Sequence, residues 1–235
     1  MRYSRFTTPI KRGKRHDPNQ LSVIIPAAGT GRRMKSYGPK CLLRSEGDMT
    51  IIEQIVDNVY NVYPHADTMV VVGFEADKVA QTLPQRIRIV ENQLYQDTNV
   101  VESLRLALNN TVTDSVLFVY GDLIFNPETI YEIADGTSCA IVDSKNRFKN
   151  EEIGVTIVDN NITNFAYGLD TKWAQIIFLT GVELEIFREL CFDRRRNKMY
   201  PFEIFNIVIN RGGVIGIKEP VDMKIKEVDS LKDLS

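Results

Sequence analysis

Between residues 21 and 135, short runs rich in β-branched residues alternate with segments whose apolar residues recur at helical spacing. No other feature of the chain constrains the fold as strongly. Residues 21–26 (Leu-Ser-Val-Ile-Ile-Pro) form the first run. Thr50 and Glu53 then make a capping-box pattern, followed by Ile51, Ile52, Ile55, Val56, Val59 and Tyr60 on one helical face. Residues 68–73 predict a second strand, 75–83 a short helix stopped by Pro84, and 86–91 a third strand. Asn99, with Glu102 three positions on, caps a helix that buries Val100, Leu104, Ala107 and Leu108. Residues 115–120 read as the fourth strand, and Asn126 before Pro127 offers an N-cap with proline at the first helical position. Strands separated by helices need crossover connections, which favour parallel pairing with helices on both faces. The predicted class is α/β: a Rossmann-like three-layer sandwich with a mostly parallel central sheet.

The pattern changes after residue 138. Residues 139–143, 153–158, 162–167 and 173–180 are strand-like, with Asp159-Asn160-Asn161 as a hairpin turn. Helical runs at 182–191 and 201–210 precede strand-like runs at 214–218 and 224–228. This predicts a smaller antiparallel part fused to the same core, and a length of 235 residues suits one domain over 21–235. Residues 1–20 read as a flexible basic tail, with Arg2, Arg5, Lys11, Arg12, Lys14 and Arg15 against Asp17. Because the whole chain carries a net charge of −2, the remainder is acidic, which argues against nucleic acid as the main ligand. The apolar runs at 69–72 and 116–119 fall far short of the roughly 20 residues a membrane helix needs. Cys41, Cys139 and Cys191 lack CxxC spacing and neighbouring histidines, so neither a disulfide framework nor a zinc site is expected. A cytoplasmic protein without a membrane partner follows; oligomeric state stays open.

Function is concentrated directly after the first strand, in Pro26-Ala27-Ala28-Gly29-Thr30-Gly31-Arg32-Arg33-Met34 and then Gly38-Pro39-Lys40. A doubly wound sheet opens its ligand crevice at this point. Ala27, Ala28, Gly29 and Gly31 carry little or no side chain, so backbone amides can approach phosphate oxygens, with Thr30 between them. Arg33 and Lys40 add positive charge. A dinucleotide fingerprint fails because its third glycine position holds Met34, and a P-loop fails because no Gly-Lys is followed by Ser or Thr. Further on, Tyr120-Gly121-Asp122 ends the fourth strand and aims a carboxylate at the same crevice, a suitable ligand for Mg²⁺.

The pattern A-A-G-x-G-x-R-M, followed by P-K, resembles the signature of the nucleoside-triphosphate transferase family. That family includes sugar-phosphate nucleotidyltransferases and bacterial choline-phosphate cytidylyltransferases. Ala27, Ala28, Gly29, Gly31, Arg33, Met34, Pro39 and Lys40 match, and the likeness continues through residues 72–74, 95–104, 120–122 and 226–230. The resemblance implies a GT-A-like nucleotidyltransferase fold and attack by an acceptor phosphate on the α-phosphorus of a nucleoside triphosphate. It implies Mg²⁺ on Asp122 and Asp229, triphosphate on Arg33 and the glycine loop, nucleotide also at Gly121, and Lys40 at the α-phosphate. The acceptor phosphate is already anionic, so neither His16 nor His65 is needed as a base. Asn99 and Ser103 fall where the family contacts base or ribose, and their Asn-then-Ser-Leu form leans toward CTP; a plain helix cap and helical serine explain them equally well. Glu152, Lys172 and Trp173, with Tyr167 and Glu203, are candidate acceptor contacts, although a lone Trp usually packs in a core and Lys172 reads as a solvated strand-end lysine. Two rival readings are a nucleotide-sugar-dependent glycosyltransferase and a non-catalytic nucleotide-binding module. The first expects a D-x-D metal motif, whereas here Asp122 is followed by Leu123 and Ile124; the second expects loss of Lys40 or of a metal carboxylate.

Overall fold

The computed structural model describes residues 21–29, 38–44, 48–146 and 152–234. Its first half runs β1 (Leu21–Pro26), α1 (Ile51–Val62), β2 (Asp67–Val72), α2 (Ala76–Thr82), β3 (Arg88–Glu91), α3 (Val100–Leu108) and β4 (Ser115–Val119). The expected capping box forms at α1, where Thr50 Oγ1 accepts from Glu53 N and Glu53 Oε2 accepts from Thr50 N. β1 pairs in parallel with β2 on one side and β4 on the other, and β3 adds in parallel outside β2. The chain therefore winds outward to β3 and returns to the other side of β1. That reversal opens a crevice at the carboxyl ends of β1 and β4.

Both faces of these strands are buried, which explains their continuous apolar runs. Val23 and Ile25 pack with Ile51, Ile55 and Val79 of α1 and α2. Ile24 and Met69 face the opposite layer, with Leu104 of α3. The second half supplies β5 (Leu123–Phe125), β6 (Cys139–Asp143), β7 (Ile153–Val158), β8 (Asn161–Tyr167), β9 (Thr171–Thr180), α4 (Gly181–Phe192), α5 (Pro201–Asn210), β10 (Gly216–Lys218) and β11 (Ile225–Glu227). Phe187 of α4 and Phe205 of α5 join the α3 layer, their rings stacked 5.0 Å apart. Three layers result, as expected.

The sheet order is β3-β2-β1-β4-β9-β6-β10-β8-β7. Here "mostly parallel" holds for the first four strands, and beyond them only β6 and β10 pair in parallel. β9 runs antiparallel to both β4 and β6, and β7 and β8 form a hairpin across Asp159 and Asn160, both at positive φ. For the hairpin the cause is the length of the connection: two residues between β7 and β8 leave no room for a crossover helix.

Two other expectations change. Residues 224–228 do contain a strand, but β11 pairs antiparallel with β5 in a separate two-stranded ribbon. Asn126 does not cap a helix with its side chain; only a 3-10 turn, Pro127–Ile130, follows it. Its Oδ1 accepts instead from Lys224 N at 2.8 Å, and its amide donates to Asp222 O at 2.8 Å, which fastens the ribbon. Among the described residues, no helix is long and apolar enough to cross a membrane.

Candidate active site

The loop after β1 is pinned by main-chain bonds. Ala27 N donates to Val71 O at 2.8 Å, Phe74 N to Ala28 O at 3.2 Å, and Gly121 N to Pro26 O at 3.2 Å. The backbones approach so closely that a Cβ on Gly121 would lie 2.8 Å from Pro26 O and 2.9 Å from Ala27 Cβ. Glycine is required at this strand end to let β4 and the loop meet. Gly29 has open space beside it, and its backbone faces a cavity of about 220 Å³. Ala27, Ala28, Lys40, Asn99, Ser103, Gly121 and Asp122 line the same cavity. Thr30, Gly31 and Arg33, like the basic tail 1–20, lie outside the described residues.

Lys40 begins a 3-10 turn, Lys40–Leu42, after Pro39. Its Nζ lies 3.0 Å from Asp122 Oδ2 and 3.1 Å from Asp229 Oδ1. Burial alone would lower its pKa, but the charges and hydrogen bonds of Asp122 and Asp229 outweigh that and hold the ammonium above its ordinary value. The β5–β11 ribbon sets the two carboxylates side by side: Glu227 pairs with Leu123, and Val228 N donates to Asp122 O at 2.9 Å. The Ser230 hydroxyl and N–H both donate to Asp233 Oδ2, which also accepts from Asp229 N at 2.9 Å. Asp233 thus fixes the backbone that carries Asp229, a role the sequence reading missed.

A magnesium ion fits this pair on chemical grounds. Among the described residues, no group of three or more His, Cys, Asp or Glu side chains gathers to enclose a metal. Mg²⁺ asks for less, since it is usually held by one or two carboxylates plus waters and substrate phosphates. Asp122 Oδ1 is buried without a hydrogen-bond partner. A buried carboxylate oxygen of that kind is costly unless something cationic meets it.

Asn99 caps α3 and also borders the cavity. Its Oδ1 accepts from Val100 N at 2.8 Å at the start of α3, and the residue still lines the cavity. Ser103 is buried, with its Oγ accepting from Asn92 Nδ2 at 3.1 Å. Asn92 also donates to Thr98 Oγ1 and accepts from Leu94 N, so it organises this wall. Asn92 was not singled out in the sequence; its burial at the end of β3 is visible only once the sheet is built.

A second cavity, of about 420 Å³, is lined by Asp143, Asn146, Glu152, Lys172, Lys226 and Glu227 among others. Lys172 is not solvated: its Nζ lies 2.5 Å from Glu152 Oε1 and 3.5 Å from Glu227 Oε2. Burial, then the charge of Asp122, pushes the Glu227 carboxyl above its ordinary range, so Glu227 links the two cavities electrostatically. Trp173 is 2% exposed, its Nε1 donates to Ile176 O, and its ring packs against Tyr120, Phe165 and Phe205. It lines neither cavity. Glu203 accepts from Tyr200 N at the start of α5, and Tyr167 packs against Phe202.

A family model for the MobA-like NTP transferase domain matches residues 23–171. The chain belongs to this family. The match takes in the loop after β1, Lys40, Asn99, Ser103 and Asp122, and ends before Lys172, Glu227 and Asp229. Among solved structures, this transferase is similar to the inositol-1-phosphate CTP transferase from T. maritima, with a TM-score of 0.74 at 16% identity over 92% of each chain. It is similar as well to the CTP:phosphocholine cytidylyltransferase from Streptococcus pneumoniae, with a TM-score of 0.71 at 17% identity over 91% of this chain and 96% of that one. Those likenesses establish a nucleotidyltransferase-like α/β fold. The bifunctional protein GlmU of Synechococcus sp. is 31% identical over 118 residues, 49% of this chain and 18% of that protein. GlmU of Francisella tularensis subsp. novicida is 33% identical over 120 residues, 50% of this chain and 26% of that protein. This transferase therefore spans only a fraction of the length of the curated relatives it matches.

Proposed function

We propose that the protein is a Mg²⁺-dependent nucleotidyltransferase that moves CMP from CTP to a phosphorylated small molecule and releases pyrophosphate. One observation carries the reading: Lys40 and Asp122 line a cavity walled in part by the small-residue loop after β1, and Asp229 meets the same Lys40 Nζ. A phosphate oxygen of the acceptor forms the new bond to the α-phosphorus, and the bond from that phosphorus to the β-phosphate oxygen breaks. The nucleophile is already ionised, so no general base is required. His65, beside Tyr60 and Pro64, lines neither site cavity.

The demand on the protein is electrostatic, since two anions must approach while charge develops on the leaving group. Amides of the loop at Ala27, Ala28 and Gly29 would hold the phosphate chain, assisted by Arg33. Lys40 would meet the α-phosphate. Asp122 and Asp229 would hold Mg²⁺, which when bound supplies charge neutralisation between the α-phosphate and the incoming oxygen. Asn99 and Ser103 would face the base. Ser103 accepts from Asn92, which leaves its hydroxyl proton for an acceptor on the pyrimidine edge. The lean to CTP has support from two structural neighbours whose names specify CTP.

The acceptor would occupy the second cavity. Among its described lining residues none is aromatic, and carboxylates predominate. A quaternary ammonium is recognised by aromatic walls. Carboxylates favour hydrogen-bond donors, so a hydroxyl-rich acceptor such as a sugar or polyol phosphate fits better than phosphocholine. The test is pyrophosphate release with each of the four common nucleoside triphosphates against sugar phosphates, polyol phosphates and phosphocholine, with Mg²⁺ present or chelated. Mg²⁺-dependent release with CTP and a polyol or sugar phosphate is expected. No release in any combination, or glycosyl transfer from a nucleotide sugar, would overturn the reading.

A further inference from the structure

The geometry points to Lys40 as a gate that couples metal binding to triphosphate binding, an inference that rests on reading Asp122 and Asp229 as the magnesium carboxylates. Lys40 Nζ bridges Asp122 Oδ2 and Asp229 Oδ1 at 3.0 and 3.1 Å, with only 18% of the lysine side chain exposed. Those are ordinary distances for an ammonium hydrogen-bonded to two carboxylates. Mg²⁺ needs its oxygens at about 2.0–2.1 Å. One pair of oxygens cannot hold both cations between them, because two positive charges a few ångströms apart in a partly desolvated site repel strongly. An ion that takes these same two oxygens must displace the ammonium.

The displaced charge then needs another anion. Among the described residues that line the cavity, Asp122 is the only carboxylate. The nearby acid Glu227 is itself within 3.5 Å of Lys172. The loop at 27–29 offers no anion either. A triphosphate in the cavity does offer one. The backbone of the turn is held, with Leu43 N donating to Lys40 O at 3.1 Å, so the four-carbon stem is the part that swings. Lys40 leaves the carboxylates for the phosphate chain, and the same movement frees them for the ion. The consequence is thermodynamic: a divalent ion alone binds weakly, nucleotide tightens it, and by linkage the ion tightens nucleotide equally.

The test titrates Mn²⁺, read from the electron paramagnetic resonance signal of the free ion, into wild type, Lys40→Met and Lys40→Gln. Each protein is measured alone and with a non-hydrolysable CTP analogue, after correction for ion held by the analogue in solution. Without analogue, both variants are expected to bind Mn²⁺ more tightly than wild type by about 5–150-fold, the usual range for coupling between two binding events. The analogue should tighten Mn²⁺ binding more in wild type than in either variant. Equal Mn²⁺ affinity in the three proteins overturns the gate. Lys40→Gln keeps a hydrogen-bond donor without the charge, so it serves if the methionine variant melts early. Asp122→Ala separates the two layers of the argument. If it removes analogue-dependent Mn²⁺ uptake while the lysine variants gain nothing, the gate fails and the magnesium site stands. If it leaves all Mn²⁺ uptake unchanged, the magnesium reading itself falls.

Discussion

The first cavity takes one wall from the small residues Ala27, Ala28, Gly29 and Gly121, whereas charged side chains from β6, β9 and β11 contribute to the wall of the second. In the first, the fold presents amides after β1 and one carboxylate, Asp122, just past the adjacent parallel strand β4. In the second, Lys172 must find Glu152 across 20 residues and Glu227 across 55. A site made of backbone tolerates few residue types and leaves a motif. One assembled from paired side chains leaves almost none, because each charge alone looks like an ordinary surface residue. The difference suggests a division of labour: the first cavity fixes the chemistry, and the second is free to vary with the acceptor.

The largest break in that comparison should come from Asp122→Ala, which removes the carboxylate shared by Lys40 and the proposed ion. Turnover should fall by roughly 10³-fold or more, beyond the usual loss of a single preorganised donor. Circular dichroism should stay native, because the ribbon bond from Val228 N is made to the Asp122 backbone. Measurable turnover close to wild type would take Asp122 out of the reaction. Next comes Gly121→Ala. Its new methyl group would meet Pro26 O at 2.8 Å, a backbone atom that cannot rotate away. A loss of about 1–3 kcal/mol in stability is expected by urea denaturation, the usual cost of overpacking. Turnover should drop with it, as Asp122 moves off the end of β4.

Lys172→Met tests the other side. It should leave CTP binding intact and raise the acceptor KM by about tenfold, comparable to ~1.4 kcal/mol. Breaking a half-buried pair leaves Glu152 and Glu227 facing each other across the cavity. Steady-state kinetics with CTP and acceptor varied separately will show it. If the KM for CTP rises instead, the second cavity is not the acceptor's.

Most of the first half was legible because β1, β2 and β3 are short runs each followed by its own helix, and residues 26–29, Lys40 and Asp122 lie after strands of that layout. The antiparallel insertion of β9 between β4 and β6 was not, since its partners are distant in sequence and the composition of a strand does not state its pairing direction. β5 has three residues and shows no alternation to detect. Asp229 was placed by resemblance alone, and only the β5–β11 register shows physically why it lies beside Asp122. Trp173 illustrates the opposite error: a conspicuous residue type at a strand end, which the sheet turns into the core.

The smallest effect sharpens the claim that the nucleotide cavity is a firm main-chain cradle. Cys41 follows Lys40 directly and lines that cavity, yet it is only 3% exposed. Burial pushes its thiol up to about 12, with the charge of Asp122 adding to the rise, and burial pushes Cys139 up to about 11. The reactive species is the thiolate, so at pH 8 a thiol four units below its pKa is ionised in roughly one molecule in 10⁴. Cys191 is buried in the α3 layer and its thiol is raised by burial as well. Native protein at pH 8 should therefore be inert to Ellman's reagent over many minutes, and denatured protein should release the signal of all three cysteines. Fast labelling confined to Cys41, identified by peptide mass, would mean that the turn carrying Lys40 opens readily. The cradle would then be no firmer than the side-chain cavity beside it, and the contrast between them would rest on residue type alone.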